Sequence, residues 1–242
     1  MFRSSRSILL AASLLACGVH AACGDELRLL SAAAMQTVFK ETAGEFEHQS
    51  GHRLNIEYAT MGAIDQRVMA GETADVVIGS LPSISGLVTI CKVGVGIVSP
   101  TSSPVPQIAS VDALVRALVA ARVVVYAEPS RGGAAGIHIA RVIEKLGLAD
   151  WLRPKTRFGG GGDVTEVTLA AGNGALGMTQ ISEIVGKPGA RFIGPLPAEF
   201  QNYTRVAMGM PKDTKPAAEA FARFLGSATV VAAIKARGME FD

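Results

Sequence analysis

Four short stretches of small residues are where this 242-residue chain is equipped to do chemistry: Ser31-Ala32-Ala33-Ala34-Met35, Thr60-Met61-Gly62, Ser130-Arg131-Gly132-Gly133 and the glycine run 159–162 before Asp163. Each lies at the start of a helical pattern, and the first three follow an apolar or β-branched run. A turn pared of side chains at a helix start leaves backbone N–H groups without intrahelical partners, and the helix dipole favours an anion there. Ser130 adds a hydroxyl and Arg131 a positive charge. Any one such turn is equally well a tight strand-to-helix connection with nothing bound. Their recurrence along one chain is what points to a ligand.

Other chemistries find less support. Residues 172–177, GNGALG, match G-x-G-x-x-G, but a helix precedes them and a strand follows, the reverse of a dinucleotide fingerprint. There is no phosphate-binding G-x-x-x-x-G-K-[ST] and no G-x-S-x-G nucleophile turn. His48 and His52 are four apart, but Gln49-Ser50-Gly51 ends the helix between them and no third metal ligand stands nearby. No metal or cofactor is expected. His138 and Glu128 are the candidate bases of an enzyme reading; His138 reads better as a histidine satisfied on its helix. Aromatics make up 5% of the chain and the net charge is +2, a composition without the stacking platform or basic stripe of a nucleic-acid binder.

The elements that must position these turns follow from periodicity. Residues 27–30, 54–58 and 75–78 read as strands, separated by helices over 35–47 and through Ile64 to Met69. That β-α-β-α-β order implies a parallel sheet with its ligands beyond the carboxyl ends of the strands. Residues 80–89 read as a loop or helical turn and 92–98 as a strand. Pro100, Pro104 and Pro106 form a stiff connector. A helix over 111–121, capped by Ser110, leads to a strand at 123–126. Further on come a helix over 164–171, strands at 175–179, 191–193 and 202–210, and closing helices over 215–225 and 228–236. The pattern gives two α/β lobes: lobe 1 over 22–98, lobe 2 over 99–200 and a return to lobe 1 over 201–242. Strands near 92–98 and 202–210 cross between them, with the ligand in the cleft.

Residues 1–21 read as an export leader. Arg3 and Arg6 precede an apolar run over 8–19, too short for a membrane anchor, and Val19-His20-Ala21 fits a cleavage site. Leu14-Leu15-Ala16-Cys17 is the rival, a lipobox-like sequence that leaves a lipidated Cys17. Either reading places the protein in the periplasm. Cys23 and Cys91 then remain, either paired or free.

In order and spacing, LRLLSAAAM (27–35), AGETADVVIG (70–79), VGVGIV (93–98), GGAAGIHIA (132–140), GALGMTQISEI (174–184) and GPLPAEFQNYT (194–204) resemble the periplasmic molybdate-binding protein family over nearly the whole mature chain. The likeness is to a divergent branch. It implies a two-lobed type II periplasmic-binding-protein fold, each lobe a mainly parallel sheet flanked by helices. It also implies a monomer that holds a small oxyanion and delivers it to the membrane permease of an ABC importer. The family holds its oxyanion with hydroxyls and backbone N–H groups. By resemblance the two first-lobe serines fall on Ala34 and on Met61 or Gly62, so both hydroxyls are missing here. The second-lobe backbone donors fall on Ala135 and Gly162, and the family tyrosine falls on Gln180, whose amide also donates. Ser31, Thr60, Ser130 and Tyr203 are the nearby replacements, and Arg131 is the cation for a small organic acid instead. The alternatives are a sensing protein for a different organic anion and an exported enzyme using the same cleft.

Overall fold

β1 (Glu26–Ala32) starts the fold because its residues can be covered on both faces: Leu27, Leu29, Leu30, Ser31 and Ala32 are all buried. The structure is a computed structural model that describes residues 24–80, 88–211 and 213–241. The leader at 1–21, Cys17 and Cys23 lie outside the described residues, as does most of the loop expected at 80–89. After β1, a 3-10 turn (Ala33–Met35) runs into α1 (Gln36–Ser50), which ends at Gly51 in the left-handed conformation. Then come β2 (Arg53–Ala59), α2 (Met61–Met69), β3 (Val76–Gly79) and β4 (Val88–Pro100). β4 starts earlier than the expected Lys92.

The chain continues through α3 (Val111–Ala120), β5 (Val123–Ala127), α4 (Ala134–Lys145), α5 (Ala149–Leu152), β6 (Thr156–Gly159), α6 (Val164–Ala171), β7 (Ala175–Gln180) and β8 (Ala190–Pro195). It closes with β9 (Tyr203–Gly209), α7 (Pro216–Leu225) and α8 (Ala228–Ala236). β6 and α5 escape the sequence reading because β6 is a mostly exposed edge strand of four residues and α5 is one turn long. β8 runs on through Gly194-Pro195, past the strand end expected at 193; a shift in its pairing with β4 at Ile97/Val98 accommodates the irregular step.

Strand order is β2-β1-β3-β9-β4-β7-β5-β6, with β8 also on β4. Two parallel trios, β2-β1-β3 and β7-β5-β6, are joined by antiparallel partners. The long β4 makes the join. Its first half pairs with β9, as Lys92 with Arg205, and its second half with β7, as Ile97 with Met178. This is the two-lobed α/β architecture the sequence implies.

Each lobe has its own core. In the first, Phe39, Phe46, Phe221 and Phe224 from α1 and α7 pack ring to ring beneath β1 and β3. In the second, β5 divides its side chains by alternation. Val124 and Tyr126 face α3 and α4, while Val123, Val125 and Ala127 face α6. At the end of lobe 1 away from α2's N-terminus, Arg28 and Arg67 share Glu57 and Glu72, and the two guanidiniums pull the Glu72 carboxyl down to about 2. Cys91 is buried with its Sγ 3.8 Å from Met239 Sδ. Among the described residues, no single helix is long and apolar enough to cross a membrane.

Candidate functional site

The carboxyl ends of β1, β5 and β7 meet the starts of α2 and α4 at one small cavity between the lobes. It is lined by Ala32, Ala33, Ala34, Thr60 and Met61 from the first lobe and by Ala127, residues 133–136, Gly161, Gly162, Thr179, Gln180 and Glu183 from the second. Its volume is about 30 Å³. A single water needs roughly 10–15 Å³ on this measure, so the space suits a compact ion and not a sugar or nucleotide.

Local sequence explains why the walls are so bare. Gly133 is the N-cap of α4 and supplies no side-chain oxygen, so the first N–H groups of the helix, Ala135 among them, have no capping partner. Gly136 lets α4 lie directly on the end of β5: a Cβ there would stand 2.3 Å from the Ala127 carbonyl oxygen. Gly161 and Gly162 both have positive φ, 100° and 87°, and bring the 159–162 turn against Thr60 and Ala33 of the other lobe.

Three polar side chains reach the cavity from β7 and the 3-10 turn after it. Gln180 is 6% exposed, and its amide has no hydrogen-bond partner among the described residues. Thr179 donates its hydroxyl to Glu183, whose carboxyl is 9% exposed. Burial, opposed by that hydrogen bond, pushes the Glu183 carboxyl up to about 7. The Glu183 carbonyl accepts from Thr165 Oγ1 of α6 at 2.8 Å, which fixes the turn.

The lobes touch at the mouth. Thr60 Oγ1 donates to the Arg131 carbonyl at 3.0 Å, and the Gly62 N–H donates to the Gly132 carbonyl at 3.2 Å. Of the residues singled out from the sequence, Ala34, Thr60, Met61, Ala135, Gly162 and Gln180 come together at the cavity. Of the suggested replacements for the lost hydroxyls, Ser31, Ser130 and Tyr203 stand outside the lining, and Thr60 reaches it with its hydroxyl already engaged. Ser31 is buried with its hydroxyl on the neighbouring Ala32 carbonyl. The Thr60 hydroxyl is occupied twice, donating to Arg131 and capping Ala63 of α2. Ser130 is exposed outside the lining. Tyr203 lies in a separate groove beside Pro195 and Leu196, its ring under Lys92. Arg131 is also at the rim, its guanidinium 3.5 Å from Glu128. His138 Nε2 donates to the Phe200 carbonyl at 2.6 Å, as a satisfied helix histidine would. Among the described residues no cluster of His, Cys, Asp or Glu is arranged to hold a metal.

Glu183 was not among the sequence candidates. The only local signal was its four-residue spacing from Thr179, and its burial comes from α6, which no local pattern reveals.

Comparison with known proteins identifies the family and the fold. The family described as bacterial extracellular solute-binding protein matches residues 27–240. The aconitate isomerase of a Pseudomonas species is 28% identical over 233 residues, spanning 88% of this chain and 87% of that protein. The periplasmic molybdate-binding protein of Azotobacter vinelandii superposes with a TM-score of 0.69 at 19% identity, covering 89% of this chain and 99% of that one. L-phospholactate-bound PEB3, a Campylobacter jejuni protein, superposes with a TM-score of 0.66 at 13% identity, covering 89% of this chain and 100% of that one. At these identities the two structures establish the shared fold.

Proposed function

Because the chain belongs to the bacterial extracellular solute-binding protein family, we propose that it captures a small anion between its lobes and delivers it, as a periplasmic monomer, to the permease of an ABC importer. The observation that carries this reading is the Gln180 side chain, free of hydrogen bonds to the described residues, in a cavity whose other wall is the uncapped start of α4. Both can present N–H donors to the same small space, and backbone N–H groups at a helix start favour an anion. The cavity volume favours a tetrahedral oxyanion of the molybdate or sulfate kind, or a carboxylate of two or three carbons. With Ala34 and Met61 in place of hydroxyl residues, the donor set is thinner than a dedicated molybdate site has. The second lobe therefore does most of the holding.

A thermal-shift titration of the leaderless protein against molybdate, tungstate, sulfate, phosphate and short carboxylates tests this. An anion at a hundred times its Kd adds about 2.7 kcal/mol of stability. No shift with any anion in the panel defeats the reading.

A second reading is favoured by Glu183. A buried carboxyl beside an anion site is suited to moving a proton on a bound organic acid, and the Pseudomonas relative is named as an isomerase of one, aconitate. A tricarboxylate is larger than the closed cavity, so this reading requires the lobes to part further around their ligand. Spectrophotometric assay for interconversion of cis- and trans-aconitate decides it; no turnover at high enzyme concentration removes it.

A further inference from the structure

A carboxyl inside an anion cavity is a contradiction if it is ionised. Glu183 lines the space that also holds the Gln180 amide and the start of α4, within 30 Å³ or so. A second negative charge at that range, away from water, would expel the anion the site is built to hold. The groups around the carboxyl do not cancel its charge. Lys187 is paired with Glu166 of α6, and Asp163, at the N-cap of α6, accepts from the Gly161 N–H at 3.1 Å. Burial is the main push of the Glu183 carboxyl toward its protonated form, Glu166 and Asp163 add to it, and the Thr179 hydrogen bond and Lys187 oppose it. Arg131, the cation the sequence offers for an anion, is outside the lining and pairs with Glu128.

We propose that Glu183 is a ligand-binding residue that enters the closed cleft as a carboxylic acid, donates its proton to the bound anion in a hydrogen bond, and takes one proton from solvent for each anion captured. This rests on the small-anion reading above and adds the missing donor to it. The hydroxyls absent at Ala34 and Met61 leave the first-lobe side short of donors, and an O–H on Glu183 supplies one from the opposite wall. The Thr179 hydroxyl, which donates to Oε2, orients the carboxyl from behind. The class of ligand follows. A fully deprotonated oxyanion or carboxylate, all acceptors, fits this donor set; a cation or a neutral hydrogen-bond donor does not.

The test uses calorimetric titration of the wild-type protein with sulfate, molybdate and acetate between about pH 6 and 8.5, where none of these probes changes its own protonation. Repeating it in buffers of different ionisation heat counts the protons exchanged. The expected result is affinity falling roughly tenfold per pH unit once Glu183 is ionised in the free protein, with close to one proton taken up per anion at the alkaline end. Glu183→Gln keeps a neutral side chain of the same shape. It is expected to bind with an affinity that no longer depends on pH and with no proton uptake. Anion binding that is pH-independent in the wild type overturns the proposal and leaves the anion reading standing. Failure of all three probes to bind at any pH, together with no thermal shift from any anion of the wider panel, overturns both. The wild-type proton count stands even where the variant folds poorly.

Discussion

Gly62 and Gly132 meet across the cleft so closely that neither tolerates a side chain without moving the other. The Gly62 N–H donates to the Gly132 carbonyl at 3.2 Å, and a Cβ on Gly62 would lie 2.5 Å from that same oxygen. Gly132 has φ +72°, a conformation that costs little only for glycine, and it aims the carbonyl across the gap. Contact of backbone with backbone closes the cavity mouth from opposite lobes. Closure is therefore separable by mutation from the folding of either lobe.

Gly62→Ala puts that separation to work. Gly62 is in the first turn of α2, where alanine is the better helix former by about 1 kcal/mol. The unliganded variant should be as stable as wild type or slightly more so. Its Cβ cannot be accommodated against Gly132 without parting the lobes, so anion affinity should fall at least tenfold, and solution scattering should show the extended form with saturating anion. A variant that binds like wild type would mean the mouth contact is incidental to capture.

Ala34→Ser restores a hydroxyl at a buried position that lines the cavity. A hydrogen bond to a charged group contributes about 1.5–3 kcal/mol. Affinity for a tetrahedral oxyanion should therefore rise tenfold or more, measured by calorimetry, with thermal stability of the free protein changed little. A fall in affinity would indicate that the ligand presents an apolar group to Ala34.

Glu183 also makes a pH signature in stability. Its carboxyl is raised from 4.5 to about 7 in the folded protein. A raised acid binds its proton more tightly when folded, so its contribution is complete below about pH 4.5 and is lost as pH rises to 7. Denaturant unfolding without anion should show wild-type stability declining across that window by on the order of 3 kcal/mol. Glu183→Gln should flatten the decline. Glu72 and Asp75, both held low in the folded protein, act oppositely and only in more acid solution.

The lobes and most elements were legible because buried parallel strands are largely apolar runs: Val123-Val124-Val125-Tyr126 announces β5, and Leu27-Arg28-Leu29-Leu30, interrupted only by Arg28, announces β1. The short exposed β6 has no such run. At the site, the small-residue turns drew notice by their recurrence, and Ala34, Met61, Ala135 and Gly162 within them were placed by the family resemblance. The replacement hydroxyls could not be placed in that way. Whether Thr60, Ser130 or Tyr203 faces a cleft depends on rotation about its own element and on what the other lobe presents, and Thr60 is held by the Arg131 carbonyl 71 residues away. Glu183 follows the same rule in reverse: a residue that looks like an exposed turn carboxylate is covered by α6.

Arg237 extends this dependence on distant contacts to the lobe junction. It stands just past α8, in the first lobe's helical layer, and forms an ion pair with Glu41 of α1. Its Nη1 also donates to the Val185 carbonyl at 2.7 Å, two residues beyond Glu183. One guanidinium thus ties the turn carrying the candidate proton donor to helices of the opposite lobe. Arg237→Ala should cost about 1–3 kcal/mol of stability, because the pair is only partly buried and the part-buried Val185 carbonyl loses its donor. Arg237→Lys keeps the charge facing Glu41 but loses the fork needed to reach both partners. It should recover much of the stability and little of the effect on the turn. The discriminating measurement is the pH dependence of anion affinity in the two variants. If Arg237 positions the 181–185 turn, both lose pH dependence relative to wild type even where stability differs. If it is only a surface tie, affinity and its pH profile stay at wild-type values and stability alone changes.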